Sequence, residues 1–116
     1  MPNVQVTYDP TQTPPWKFDP DPVRVTASGN IIFTQAPGSN WTFTGASVTN
    51  GGGVFGTPQI NNPGNQMILS DACSSKANFC YTVSVLPTGA TQSVTSPDPE
   101  IKNDPPSPMP APKPPA

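Results

Sequence analysis

Apolar and polar residues alternate along much of this chain with a period of two, the repeat of a half-buried β-strand. Val4-Gln5-Val6-Thr7-Tyr8 places Val4, Val6 and Tyr8 on one face. Val23-Arg24-Val25-Thr26 repeats the pattern, and Ser28-Gly29-Asn30 reads as a tight turn into Ile31-Ile32-Phe33-Thr34. Trp41-Thr42-Phe43-Thr44 is a further strand, with Gly45 marking a bulge or bend at its end. Asn50-Gly51-Gly52-Gly53 reads as the most flexible point of the body and divides Val48-Thr49 from Val54-Phe55. Ile60 stands alone between loops, and Met67-Ile68-Leu69-Ser70 follows the loop residues 61–65. The clearest strand is residues 79–86, FCYTVSVL, with Phe79, Tyr81, Val83 and Val85 on one face. Thr88-Gly89 turns the chain, residues 91–95 return as a short strand, and a last extended piece carries Ile101.

These segments are short, lie about 8–12 residues apart and are divided by Gly, Pro and Asn, the rhythm of an antiparallel sandwich or small barrel. Helix formers are scarce: Glu100 is the single Glu, and Leu69 and Leu86 are the only leucines. The prediction is an all-β fold: one antiparallel β-sandwich of immunoglobulin-like architecture, without internal repeats.

Composition sharpens the boundaries. Of 116 residues, 19 are proline, and seven of those fall in residues 105–116 (PPSPMPAPKPPA). Residues 1–104 are therefore expected to form the domain, and residues 105–116 a disordered Pro-rich tail of polyproline II character. The absence of His removes the imidazole base of a Ser-His triad and any His metal ligand. Five basic residues cannot supply a phosphate-neutralising patch, so no nucleic-acid partner is expected. No apolar run approaches the ~18 residues of a membrane span, and Met1-Pro2-Asn3 lacks the positive start of a signal peptide. The expectation from the chain as written is a cytoplasmic protein with no membrane partner.

Cys73 and Cys80 lie seven apart. They could close a small disulfide loop or stand as two free thiols, the cytosolic default. Without a second Cys pair or a His they cannot complete a zinc site, and blue copper is excluded by the same lack of His. No metal and no cofactor is implied. Five of the six Asp residues precede proline (Asp9, Asp19, Asp21, Asp98 and Asp104), which is turn chemistry. The sharper alternative brings Asp19, Asp21, Asp98 and Glu100 together around a hard cation such as Ca²⁺. Paired-carboxylate hydrolysis needs two carboxyls facing across a cleft, which a body this small rarely forms, so no enzyme activity is expected.

Trp16, in the loop-like Thr13-Pro14-Pro15-Trp16-Lys17-Phe18, and Trp41 could present rings for sugar stacking, or both could belong to the core. Asn40-Trp41-Thr42 is also a formal glycosylation sequon. In the tail, the span from Lys102 to Pro108 fits the basic-x-x-P-x-x-P outline read by SH3 grooves, although Pro-rich sequence meets that spacing easily.

Phe79-Cys80-Tyr81-Thr82-Val83-Ser84-Val85, followed by Ser96-Pro97-Asp98-Pro99-Glu100-Ile101-Lys102-Asn103, resembles the signature of the bacterial DP-EP family of small uncharacterised proteins. The resemblance covers about a quarter of the chain. It departs from the family pattern where Ile101 follows Glu100 in place of a second proline, and it implies no activity. The functional expectation is thus a non-catalytic binding or structural module acting through protein contacts, with Trp16, Trp41, Asp98 and Glu100 as candidate binding residues. A carbohydrate-binding module using an exposed Trp is the alternative. Ligand and oligomeric state are not legible.

Overall fold

A computed structural model describes residues 2–61, 64–74 and 76–105. Its first five strands are β1 (Asn3–Tyr8), β2 (Trp16–Asp19), β3 (Val23–Val25), β4 (Gly29–Gln35) and β5 (Trp41–Val48). The remaining five are β6 (Gln59–Ile60), β7 (Gln66–Asp71), β8 (Ala77–Pro87), β9 (Val94–Thr95) and β10 (Glu100–Asn103). Among the described residues there is no helix. The all-β expectation holds.

The strands form two sheets. One runs β2-β1-β4-β7-β6; the other runs β3-β10-β8-β5, with β9 added beside β8. Both are mixed, which corrects the purely antiparallel expectation. β1 lies parallel to β4, with Val4 opposite Phe33, and β10 lies parallel to β3, with Ile101 opposite Val23. Parallel neighbours need a crossover. The chain supplies two, because β3 leaves the first sheet for the second and β4 returns. The Ser28-Gly29-Asn30 turn therefore links two sheets, with β4 already beginning at Gly29.

Alternation does what the sequence pattern requires. Val4, Val6, Ile31, Phe33, Met67 and Leu69 from one sheet meet Val23, Val25, Trp41, Phe43, Tyr81, Val83, Val85 and Ile101 from the other in one buried cluster. Tyr81 joins the layers, its ring 5.5 Å from Phe33 and 5.9 Å from Phe18. Burying each such side chain contributes about 1.5–3 kcal/mol, and the interdigitated faces leave little freedom of register. Gly45 marks a bulge as expected: the β5–β8 register shifts between Phe43 and Gly45, after which β5 continues to Val48.

One expectation is overturned. Trp16-Lys17-Phe18-Asp19 is not a loop but the edge strand β2, with Trp16 opposite Tyr8 and Phe18 opposite Val6. Prolines at 14, 15 and 20 obscure it in the sequence, yet an edge strand tolerates proline at its ends. The glycine run is anchored at its first residue, while Gly52 and Gly53 are exposed. Gly51 is buried, its carbonyl accepts the N–H groups of Val54 (3.0 Å) and Phe55 (3.1 Å), and a Cβ there would lie 2.8 Å from Phe55 and Val48. Gly is required by close packing at this turn.

Candidate functional site

Three connections converge at one end of the two layers: the segment after β1, the β4–β5 link and the residues that close β8. Between them lies a cleft of ≈ 470 Å³, lined by Thr7, Tyr8 and residues 9–11, by residues 36–40 with Trp41, and by Pro87 and Thr88. The walls are fixed by local chemistry. Asp9 Oδ1 accepts the backbone N–H of Thr11 at 3.0 Å and its hydroxyl at 2.6 Å, an Asx-type turn. These two bonds hold the Asp9 carboxyl below its ordinary pKa, so the cleft has a carboxylate at its rim. Ala36-Pro37-Gly38-Ser39 is a tight turn closed by Ser39 N–H to Ala36 O (3.3 Å), with Gly38 at φ +80°. Proline followed by glycine in the left-handed region is the arrangement of a type II turn. Thr88 N–H donates to Asn40 O at 2.8 Å, and the Gln35 side-chain amide donates to Trp41 O, tying β8 and β4 to the start of β5.

Trp41 forms the floor side of this cleft and is only 3% exposed. It packs edge-on to Phe43, with ring centroids 4.9 Å apart. Its Nε1–H is shielded from water and has no acceptor in the structure, which is unusual for a buried indole. The ring therefore offers no open face for a sugar. Trp16 is half-buried; Phe18 stacks parallel to it at 6.0 Å and Tyr8 lies 4.5 Å away. Asp98 and Glu100 are exposed on the approach to β10, and neither lines the cleft.

The suggested cation cluster does not assemble. Asp21 Oδ1 instead accepts the backbone N–H of Glu100 at 3.0 Å, and the described residues contain no group of three His, Cys, Asp or Glu side chains able to hold a metal. The two cysteines are free: Cys73 is buried after β7, whereas Cys80 is exposed on the outer face of β8. Alternation separates them, because Cys80 points away from the face that carries Tyr81. Burial, followed by the negative charge of Asp71, pushes the Cys73 thiol pKa up. The SH3-ligand outline also loses its start, since Lys102 is locked in β10 opposite Asn78 and Arg24, and Pro106 onward lies outside the described residues.

A second polar centre was not anticipated. Asp71 ends β7, Asn103 ends β10, and both are 1% exposed. Asp71 Oδ1 accepts Asn103 Nδ2–H at 2.9 Å and Cys73 N–H at 2.8 Å, which joins the last strands of the two sheets. Asp71 Oδ2 and Asn103 Oδ1 have no partners. Burial raises the Asp71 pKa, partly opposed by those two hydrogen bonds. One sequence signal could have found it: Asp71 is the only Asp not followed by proline, and so the only one without a turn explanation.

Two all-β layers over one core, with a cleft of aromatic, proline and hydroxyl groups at one end, describe a small β module. The chain belongs to the DP-EP family, whose model matches residues 1–105. The match takes in the whole β body, well beyond the C-terminal segments that carry the resemblance. No curated protein matches the sequence. Ile101 is fully buried on β10 between β3 and β8, where a residue without N–H would break a ladder.

Proposed function

We propose that this chain is a non-catalytic binding module of immunoglobulin-like sandwich type, acting in the cytoplasm and recognising a protein segment in the end cleft. The cleft carries the reading. Its ≈ 470 Å³ falls in the range of sites that hold a small ligand or a few residues of peptide. Its walls are hydrogen-bonded turns, so binding need not order them, and that saves part of the entropy cost of association. Tyr8 and three prolines (Pro10, Pro37 and Pro87) supply apolar contact above the covered Trp41, while Asp9, Ser39, Asn40 and Thr88 supply polar groups at the rim. A peptide suits this mixture better than a sugar does, because Trp41 is covered and Trp16 is occupied by Phe18 and Tyr8. The carbohydrate reading keeps only the exposed part of Trp16.

The test probes a peptide array and a glycan array with the full chain and with Thr88→Arg, which places a long side chain at the exposed rim. Peptide signals lost in Thr88→Arg support the proposal. Glycan signals that survive Thr88→Arg and vanish in Trp16→Ala would replace it with the carbohydrate reading. Peptide signals indifferent to Thr88→Arg would move the site elsewhere.

A further inference from the structure

We infer that the end cleft takes the proline-rich segment 105–116 of a second copy of this chain; the inference rests on the cleft being a peptide site. Three observations carry it. The first is chemical class. Residues 105–116 carry seven prolines, including Pro105-Pro106-Ser107-Pro108 and Pro112-Lys113-Pro114-Pro115, two Pro-x-x-Pro spacings. Such segments dock in grooves of aromatic and proline side chains because their fixed φ leaves little entropy to lose. Tyr8, Pro10, Pro37 and Pro87 make such a groove over the covered Trp41. Proline offers a carbonyl but no N–H. A segment rich in acceptors and poor in donors complements the exposed amide of Asn40 and hydroxyl of Thr88 at the rim.

The second observation is charge. Asp9 is the only charged residue lining the cleft, and Lys113 is the only charged side chain in residues 105–116. The two are opposite in sign.

The third is reach, which selects another copy over the same one. β10 ends at Asn103, opposite Ala77 at the start of β8, whereas the cleft lies at Pro87, where β8 ends. Ten residue steps of strand separate the ends by about 34 Å at ~3.4 Å each. The ten steps from Asn103 to Lys113 would span about 31 Å at the ~3.1 Å per residue of polyproline II, and an extended Lys side chain adds a few ångströms. Lys113 therefore reaches Asp9 of its own chain only with the segment drawn taut and residues 105–112 left outside the cleft, while in a second copy nothing limits which residues enter.

The experiment uses three full-length proteins: the wild type, Thr88→Arg, and a chain whose residues 105–116 are replaced by a Gly-Ser sequence of equal length. Sedimentation velocity is run on each alone and on the two altered chains mixed. The expected result is concentration-dependent association of the wild type, monomers for each altered chain alone, and association restored on mixing, since one contributes the cleft and the other the segment. A synthetic peptide of residues 105–116 should compete, shift the Trp fluorescence of the Gly-Ser chain, and bind its Asp9→Asn form several-fold more weakly. If the peptide leaves that fluorescence unchanged and the wild type stays monomeric, the inference is wrong; array peptides that still depend on Thr88 would then leave the peptide-site reading standing. If the peptide binds but the wild type is monomeric at every concentration, the occupant is the chain's own segment, and the assignment to a second copy is overturned.

Discussion

Replacing Asp71 by Asn should stabilise the protein at neutral and alkaline pH and leave it unchanged in acid. Asp71 Oδ2 and Asn103 Oδ1 are both acceptors, both buried and both unpartnered while the carboxyl is ionised. Each unsatisfied buried group costs about 1–3 kcal/mol. A proton on Oδ2 supplies the missing donor, completing an acid–amide pair beside the existing Asn103 Nδ2–H to Asp71 Oδ1 bond of 2.9 Å. The folded-state pKa is raised by burial above its unfolded value, so this group's stabilisation is fully present below about pH 3.9 and is lost as pH rises through the folded pKa. An Asn side chain supplies that donor at every pH and keeps an oxygen for the N–H groups of Cys73 and Asn103. Asp71→Asn is therefore expected to gain about 1–2 kcal/mol at pH 8, or roughly 4–8 °C in Tm for each kcal/mol. At pH 3.5 the two proteins should coincide. Urea unfolding followed by Trp fluorescence at pH 3.5, 6 and 8 measures the difference. Taking it between the proteins cancels groups that Asp71 does not touch, including the Arg24–Asp104 pair and Asp9, whose lowered pKa acts in the opposite direction; the Cys73 thiol, raised by burial and by Asp71, stays protonated at all three pH values. Asp71→Asn less stable than wild type by the same amount at all three pH values would refute the reasoning.

Three further outcomes follow from the packing. Trp41→Ala should cost about 3–5 kcal/mol in urea unfolding, since it empties a 3%-exposed site beside Phe43. Gly51→Ala should cost about 1–3 kcal/mol, because its Cβ would lie 2.8 Å from both Phe55 and Val48; an unchanged urea midpoint would show that the turn can relax. A thiol reagent should label one cysteine per folded chain rapidly, at Cys80, with Cys73 reacting only in denaturant, and peptide mapping of the labelled site decides it.

The strands legible in the sequence were those with a strong apolar face, β1, β3, β4, β8 and the first half of β5. Their burial patterns follow the alternation directly: Val4, Val6, Ile31, Phe33, Tyr81, Val83 and Val85 all lie inside. β2 was hidden because only two inward residues, Trp16 and Phe18, stand between prolines. Strand pairing was less legible still. Nothing local to Val23–Val25 or Glu100–Asn103 says that they run parallel to each other across 75 residues of chain, since that is decided by which faces share the core. The cleft escaped notice for a similar reason, since its walls come from three separated turns. Its local signals were present in Asp9-Pro10-Thr11 and Pro37-Gly38, but their convergence is a property of the sheet ends. Trp41 was singled out for its ring, whereas the cleft makes its unpartnered N–H the notable feature.

The end cleft as the binding site is tested most directly by ¹H–¹⁵N correlation spectra of the full chain, titrated with the strongest peptide from the array. Saturable shifts should concentrate at Tyr8, Asp9, Asn40 and Thr88, with the Trp41 indole N–H resonance shifting as the cleft above it fills. Saturable shifts confined to the β3 edge, or to Asp98 and Glu100, with the Trp41 indole resonance unmoved, would contradict the account.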